Sequence, residues 1–532
     1  MKAEEVWILL PISDWSNAEY GLVFGFTTWG SASHEDFLQC FQSGLGVNTN
    51  TSSGIVFTKT SSSYEPILDA SIRNSRFLAT SVPKPNFIVT PHNLFHIQLA
   101  LRCSKHSNLQ VRVRSGGHDY EGLSYVSNVP FIIIDLFNLR SITINMEDET
   151  AWVQSGATLG ELYYAIANRS KVHGFPAGSC ATIGIGGHLS GGGFGTIFRK
   201  YGLAADNVID AQIINVNGTI LNRRAMGEDL FWAIRGGGGS SFGVITAWKI
   251  KLVQVPSTVT IFEVSRNLDD GGSEIFTKWQ TVAPKLPAEL FLHAVLGVSN
   301  SASRLGNKTV VFSFTGMYLG TAENLLPLMQ ESFAEFGLKR SNFTEMSWIQ
   351  SVLYFAGFSV DQSLEILLNR NITSSSFKTK SDYVTEPISS TGLEGLWKML
   401  VLEESQFIIL TPYGGIMSEI PESATPFPHR KGMLYGIQYS VSWDSNEDAT
   451  KYIKWIRTLY DYLAPYVSKL PRRAYLNYRD LDLGVNGPNT SYVEAQFWGL
   501  KYFNQNFKRL VEVKTRVDPK NFFRNEQSIP PL

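Results

Sequence analysis

Apolar and polar positions alternate in short blocks through the first half of the chain and in longer blocks through the second. Residues 35–44 carry the spacing of a short helix, and residues 55–58 read as a strand. Pro83, Pro85 and Pro91 bracket the apolar run 87–90, which predicts a short strand. The helix after it, at about 92–105, is expected to start near Thr90 or Pro91, because proline fits a first helical turn. Val111-Arg112-Val113-Arg114 alternates as a half-buried strand should, 131–136 is an apolar strand ending in acid, 152–154 is another strand, and 159–168 a helix. From about 256 to 490 glycine thins out and longer strand-like runs appear at 310–314, 407–410 and 434–443, with helical stretches such as 322–336 between them. The pattern predicts an α+β protein whose later part is built on an antiparallel sheet. The aromatic tail, 491–531, is expected to pack against the body.

Composition narrows the class. A chain of 532 residues suggests two to four domains. Its 46 Lys and Arg against 47 Asp and Glu leave a formal charge of −1, which argues against a nucleic-acid partner. With 17% charged and 12% aromatic residues the chain can bury large cores, so global disorder is excluded. No stretch reaches 18 uninterrupted apolar residues, and no membrane span is expected. The N-terminus admits two readings, an atypical leader or an extension over residues 1–34. Residues 6–12 and 21–29 are apolar, but Glu4 and Glu5 stand where a signal peptide wants positive charge. Cys40, Cys103 and Cys180 make an odd count, read as one disulfide plus one cysteine with another task, or as three free thiols. Sequons at Asn50, Asn168, Asn217, Asn307, Asn342, Asn371 and Asn489 permit glycosylation of a secreted protein.

Two glycine-rich segments carry the chemistry. Ser115-Gly116-Gly117-His118-Asp119-Tyr120 directly follows the strand at 111–114. Two glycines there let the backbone turn tightly and present amides to an anion such as a pyrophosphate, with a histidine in reach. A hairpin with an ordinary surface histidine is the alternative. Residues 174–195 hold nine glycines, which implies backbone laid flat against something large. The run is no Rossmann fingerprint, since Leu189 stands where the third glycine should be, and no Gly-Lys-Ser/Thr marks a P-loop. A phosphate-bearing cofactor outside the common nucleotide folds is implied. Cys180 and His188 lack the further ligands of a metal site, so none is expected and His188 reads as a packing residue.

Arg114 to Asp119, Gly178-Ser179-Cys180 with the run after it, and residues 201–207 together resemble the berberine bridge enzyme-like family of plant flavoproteins. Pro426-Phe427-Pro428-His429-Arg430, residues 477–484 and the 518–530 tail extend the resemblance over roughly 35–532. It implies the vanillyl-alcohol oxidase type of fold. A two-part FAD-binding domain (35–255 and 491–532) would flank a substrate domain at 256–490. It also implies covalent FAD, joined by His118 to the 8α-methyl carbon and by Cys180 as a thioether at C6, and a disulfide between Cys40 and Cys103. Ser115, Gly116, Gly117, Asp119, Ser155, Gly156, Gly184, Gly187, Gly193, Gly195, Asp206, Asn207 and Val244 are expected along the cofactor. Two covalent links would raise the flavin's reduction potential and fix its ring.

The resemblance further implies an oxidoreductase that takes hydride from an allylic, benzylic or sugar anomeric alcohol, with oxygen or a quinone-like acceptor. Such a protein is expected to be a secreted, cell-wall or vacuolar monomer. Tyr478 is the expected base; its phenol, ordinarily near pKa 10, would need a cation or hydrogen bonds to lower it. Alternation puts Gly436 and Gln438 on one face. Gln438 stands where bridge-forming relatives carry a carboxylate, and Gly436 where monolignol oxidases carry lysine. Phe194, Thr411 and, more weakly, His293 are expected to line the same cavity. Ile183 falls at an oxygen gate, where it predicts slow reoxidation by oxygen. A flavin protein without redox turnover, pericyclase-like or defensive, is the alternative.

Overall fold

The computed structural model describes residues 29–46, 54–301, 307–371, 374–403, 405–444, 446–487 and 489–532, with side chains from residue 36 onward. Residues 1–28 of the expected leader and the Asn50 sequon lie outside the described residues, whereas residues 29–34 open a helix that was expected to start at 35. Helix Trp29–Leu45 packs on helix Leu94–His106, and the Cys40–Cys103 disulfide joins the two. Asn93, not Thr90 or Pro91, caps the latter helix: its side chain accepts from the His96 amide. An asparagine oxygen satisfies a free amide of the first turn, which a proline cannot do.

Three main sheets organise the molecule. The first runs, in spatial order, Val56–Thr58, Phe87–Val89, Phe131–Asp135, Gln110–Arg114, and its last three strands are parallel. Gln110–Arg114 departs from the half-buried expectation. Both arginines are buried, because Arg114 pairs with Asp135 at 2.6 Å and Arg112 with Glu526 at 2.8 Å. Ion pairing let charged positions mimic the polar half of an alternating strand. The second sheet is antiparallel, in the order Ile142–Asn145, Thr150–Gln154, Val244–Lys251, Val208–Ile214, Ile220–Leu221.

The third sheet has seven strands, all antiparallel: Thr344–Met346, Val259–Asn267, Lys308–Tyr318, Leu290–Asn300, Gln406–Pro412, Tyr435–Trp443, Ser376–Val384. Helices Gly272–Val282, Ser390–Leu400 and Ala449–Leu463 lie on this unit, and the sheet residues facing them, such as Leu292, Ala294 and Phe312, are wholly buried. Its opposite face, carrying Phe291, His293, Ile409, Thr411 and Gln438, looks into a cavity. The helical stretch at 322–336 is broken at Phe333 into helix Ala322–Ser332 and a 3-10 turn, Ala334–Phe336.

The tail forms helices Tyr492–Phe503 and Asn506–Val517 and then returns to the first part of the chain. Lys514 Nζ, wholly buried, donates to the Ser241 and Phe523 carbonyls and pairs with Asp518, each at 2.7 Å. Gln527 Nε2 donates to the carbonyls of Asp480 and Gly484. Among the described residues no helix is long and apolar enough to cross a membrane.

Candidate active site

A cavity of about 550 Å³ opens between the two glycine-rich segments, the third sheet and the turn at 475–479. Its floor is backbone. A Cβ on Gly116 would come 2.3 Å from the Gly184 amide nitrogen, and one on Gly184 would come 2.2 Å from that of Gly116. Gly117 has φ +71°, and its Cβ would strike the Ser71 carbonyl at 1.8 Å, so this turn demands glycine. At Gly187, by contrast, nothing lies within 4 Å of a Cβ, and the residue faces the open cavity. Arg112 lines the same space with Nε and Nη1 unpartnered, and the hydroxyls of Ser124 and Ser155 are likewise buried without partners.

Of the expected cofactor residues, Ser115, Gly116, Gly117, His118, Asp119, Cys180, Gly184, Gly187 and Gly195 line the cavity. Ser155 and Gly156 lie just behind it, Ser155 accepting at its carbonyl from Ser115 Oγ at 2.5 Å. Gly193 packs against the His188 ring. Three expected residues are turned to structural tasks. Asp206 pairs with Arg430 at 2.7 Å, the Asn207 amide donates to the Tyr201 and Leu203 carbonyls, and Val244 is buried in the second sheet opposite Ile214.

His118 and Cys180 converge on one hydroxyl. Thr182 Oγ1 is 3.0 Å from His118 Nε2 and 3.6 Å from Cys180 Sγ. Desolvation, and then the Arg73 guanidinium, push the imidazole down to about 3, so it is neutral and nucleophilic at working pH. Cys180 is exposed to the cavity as a free thiol. His188 accepts the Gly178 amide at its Nε2 (3.1 Å), a packing role. Among the described residues no group of three metal-ligating side chains converges. A flat backbone floor, unpartnered buried donors and two nucleophiles at one wall suit a large, flat, phosphate-bearing cofactor.

Aromatic rings form the opposite wall. Tyr478 stacks on Tyr120 at 5.7 Å with 4° between ring planes, and meets Tyr475 and Phe194 edge-on at 4.9 and 6.2 Å. Gln438 Nε2 donates to Tyr120 Oη at 2.9 Å. Among the described residues no cation lowers the Tyr478 phenol, as glycine in place of lysine at 436 implies. Burial, with Tyr120, Tyr475 and Tyr413 as neighbours, pushes it well above the usual phenol range. His293 sits between the Phe291 and Phe355 rings, and burial pushes it down to about 4. Thr411 and Ile183 line the cavity, but Gly436, opposite Thr411 in the sheet, does not. A Cβ there would meet Tyr383 at 3.4 Å and Tyr413 at 3.6 Å, so those rings bound the space a lysine would have filled.

Charge fixes the turn that presents Tyr478. Arg479 Nε bonds Asp119 at 2.9 Å, and Asp480 is held by Lys378 at 2.8 Å and Lys380 at 2.5 Å. Lys378 also pairs with Glu121, and Lys380 with Asp482. Both lysines are buried. This network ties the loop after His118, the edge strand Ser376–Val384 and the Tyr478 turn into one unit. Tyr120, Thr182, Tyr475, Phe291 and Phe355 were not singled out from sequence. Only adjacency to His118 and Cys180 could have marked the first two.

A family model described as FAD binding domain matches residues 85–223, and one described as berberine and berberine like matches 474–530. Berberine bridge enzyme-like 26 of Arabidopsis thaliana is 52% identical over 483 residues, 89% of each chain. Tetrahydroberberine oxidase of Berberis wilsoniae is 51% identical over 507 residues, 94% of each. Among solved structures, the grass pollen allergen Phl p 4, described as having glucose dehydrogenase activity, superposes with a TM-score of 0.87 at 46% identity. The match covers 93% of this chain and all of that one. An isoleucine-to-valine variant of Phl p 4 is described as a glucose oxidase.

Proposed function

We propose that this chain, which belongs to the berberine bridge enzyme-like family of FAD-linked oxidoreductases, holds its flavin through two covalent bonds and takes hydride from an alcohol carbon. The observation that carries the first point is the convergence of His118 Nε2 and Cys180 Sγ on Thr182 at the cavity wall. His118 would hold the 8α carbon through a ring nitrogen and Cys180 the C6 position through sulfur. The glycine floor at 116–117 and 184–187 would lie under the cofactor, with Arg112 and the serine hydroxyls as donors to it. When bound, FAD supplies a two-electron acceptor for a substrate hydride. We assign 35–255 and 491–532 to the flavin-binding part and 256–490 to the substrate-binding part; the return of the tail to Ser241 and Arg112 supports the first grouping.

The donor is an allylic, benzylic or anomeric alcohol, a reading supported by a structural relative with glucose dehydrogenase activity. The Tyr120–Tyr478 stack offers a flat wall for a ring-bearing substrate. Tyr478 takes the hydroxyl proton, which its raised phenol can do only in the ionised form. Ile183 at the cavity wall sets the acceptor: we infer slow reoxidation by oxygen and a quinone-like partner, since isoleucine-to-valine change accompanies oxidase character in Phl p 4. Secretion as a glycosylated monomer fits the disulfide and the exposure of all six described sequon asparagines.

A second donor class has its own observation. Burial moves two candidate bases of the cavity away from neutral pH, raising the Tyr478 phenol and lowering the His293 imidazole. An amine donor, whose nitrogen lone pair stabilises the carbon losing hydride, needs no such base. The relative named tetrahydroberberine oxidase suits that class. Anaerobic mixing with panels of benzylic alcohols, sugars and cyclic tertiary amines decides it: bleaching of the flavin by alcohols or sugars supports the first reading, and bleaching by amines alone the second.

A further inference from the structure

Thr182 is 2% exposed and stands between the two residues assigned to the flavin links, in contact with both through one oxygen. A hydroxyl has one hydrogen and two lone pairs, so it can accept from one neighbour while donating to the other. One arrangement serves both nucleophiles. His118 Nε2–H donates to Oγ1, and the Oγ1 hydrogen points to the Cys180 sulfur. This leaves the Nδ1 lone pair of His118 bare and gives the Cys180 sulfur a hydrogen-bond donor. Burial first, and then the Arg73 guanidinium, keep the imidazole neutral.

We propose that Thr182 is a positioning residue for both covalent bonds, fixing the tautomer of His118 and the donor contact to Cys180 before either is joined to the flavin. The proposal rests on the bicovalent reading above. At each site one N–H or S–H bond and one C–H bond of the flavin carbon give way to an N–C or S–C bond. Two protons and two electrons leave in each event. The imidazole proton would leave from Nε2 to solvent in the cavity; Thr182 holds it by a hydrogen bond until then but does not take it. The electrons would be taken up by the flavin and delivered to the dioxygen or quinone that serves turnover.

The test is peptide mapping of acid-precipitated full-length protein from parallel preparations, with thermal melts on the same samples. The unaltered protein should carry flavin bridging the peptides of His118 and Cys180. Thr182→Ser should keep the doubly linked fraction within about twofold, whereas Thr182→Val should lower it at least about tenfold, leaving singly linked or free flavin. Should Thr182→Val fail to fold, Thr182→Ala gives the same comparison with Thr182→Ser. Doubly linked protein at the unaltered level in the folded Val or Ala variant would overturn the proposal. Absence of any bridging peptide in the unaltered protein would instead overturn the bicovalent reading on which it rests.

Discussion

The proposed alcohol chemistry turns on the protonation state of Tyr478. Its ring is enclosed by three other phenols, and burial holds its own phenol well above the usual range. If it accepts the proton of an alcohol, flavin reduction must rise with pH throughout the range up to about 10, because the ionised fraction grows about tenfold per unit below the pKa. Tyr478→Phe should then slow anaerobic reduction by at least about a hundredfold. A loss under about tenfold, with an unchanged pH profile, would move the assignment to the amine class. Ile183 carries a separate expectation: Ile183→Val should speed stopped-flow reoxidation by oxygen at least about tenfold without altering anaerobic reduction, and equal reoxidation rates would remove Ile183 from acceptor choice. At this scale the sequence was informative wherever a residue's task is written in its neighbours. His118 and Cys180 sit in glycine-rich motifs. Tyr120 ends the same motif as His118, but its task was not legible there, because its stack on Tyr478 and its bond to Gln438 exist only once distant segments meet.

Elements depart from their sequence patterns where charge is buried. The Val-Arg-Val-Arg strand reads as half-exposed, yet Arg112 and Arg114 are enclosed with partners from the tail and the neighbouring strand. Strand Ser376–Val384 likewise carries Lys378 and Lys380 inward, against Glu121, Asp480 and Asp482. Period-two reasoning cannot find such strands, since it treats a lysine as solvated. Removing one charge from this network leaves others uncompensated in a medium of low polarity. Lys378→Met should therefore cost about 3–5 kcal/mol in urea unfolding. It should also loosen the Tyr478 turn, which Asp480 anchors. A cost under about 1 kcal/mol would show that the network is not what holds the turn.

At the scale of the whole molecule, the tail closes back on the first part of the chain and the seven-stranded sheet faces the cavity. Alternating short elements, then longer strands, made the α+β class and the antiparallel sheet readable. The seven-strand order was not, because pairings such as Leu290–Asn300 with Gln406–Pro412 join segments far apart in the chain. Acid should weaken this body in a defined window. Burial lowers the His188 and His293 pKa to about 4 each, below the unfolded value near 6.5. The unfolded chain thus binds more protons between those limits, and stability present above pH 6.5 is lost as pH falls toward 4. Asp482 adds a further loss at lower pH. Although burial alone would raise it, Arg457, Lys378 and Lys380 hold its carboxyl well below the usual range. Melting midpoints should fall steadily from pH 6.5 to 4, and a flat profile would contradict the buried, neutral state of both histidines. Reducing the Cys40–Cys103 bond, which spans 63 residues, should cost about 4 kcal/mol.

Acid precipitation of the purified protein followed by peptide mass mapping reads out the doubly anchored flavin. The expected result is a yellow pellet in which one flavin joins the peptides containing His118 and Cys180. A colourless pellet, with free FAD left in the supernatant, would contradict it.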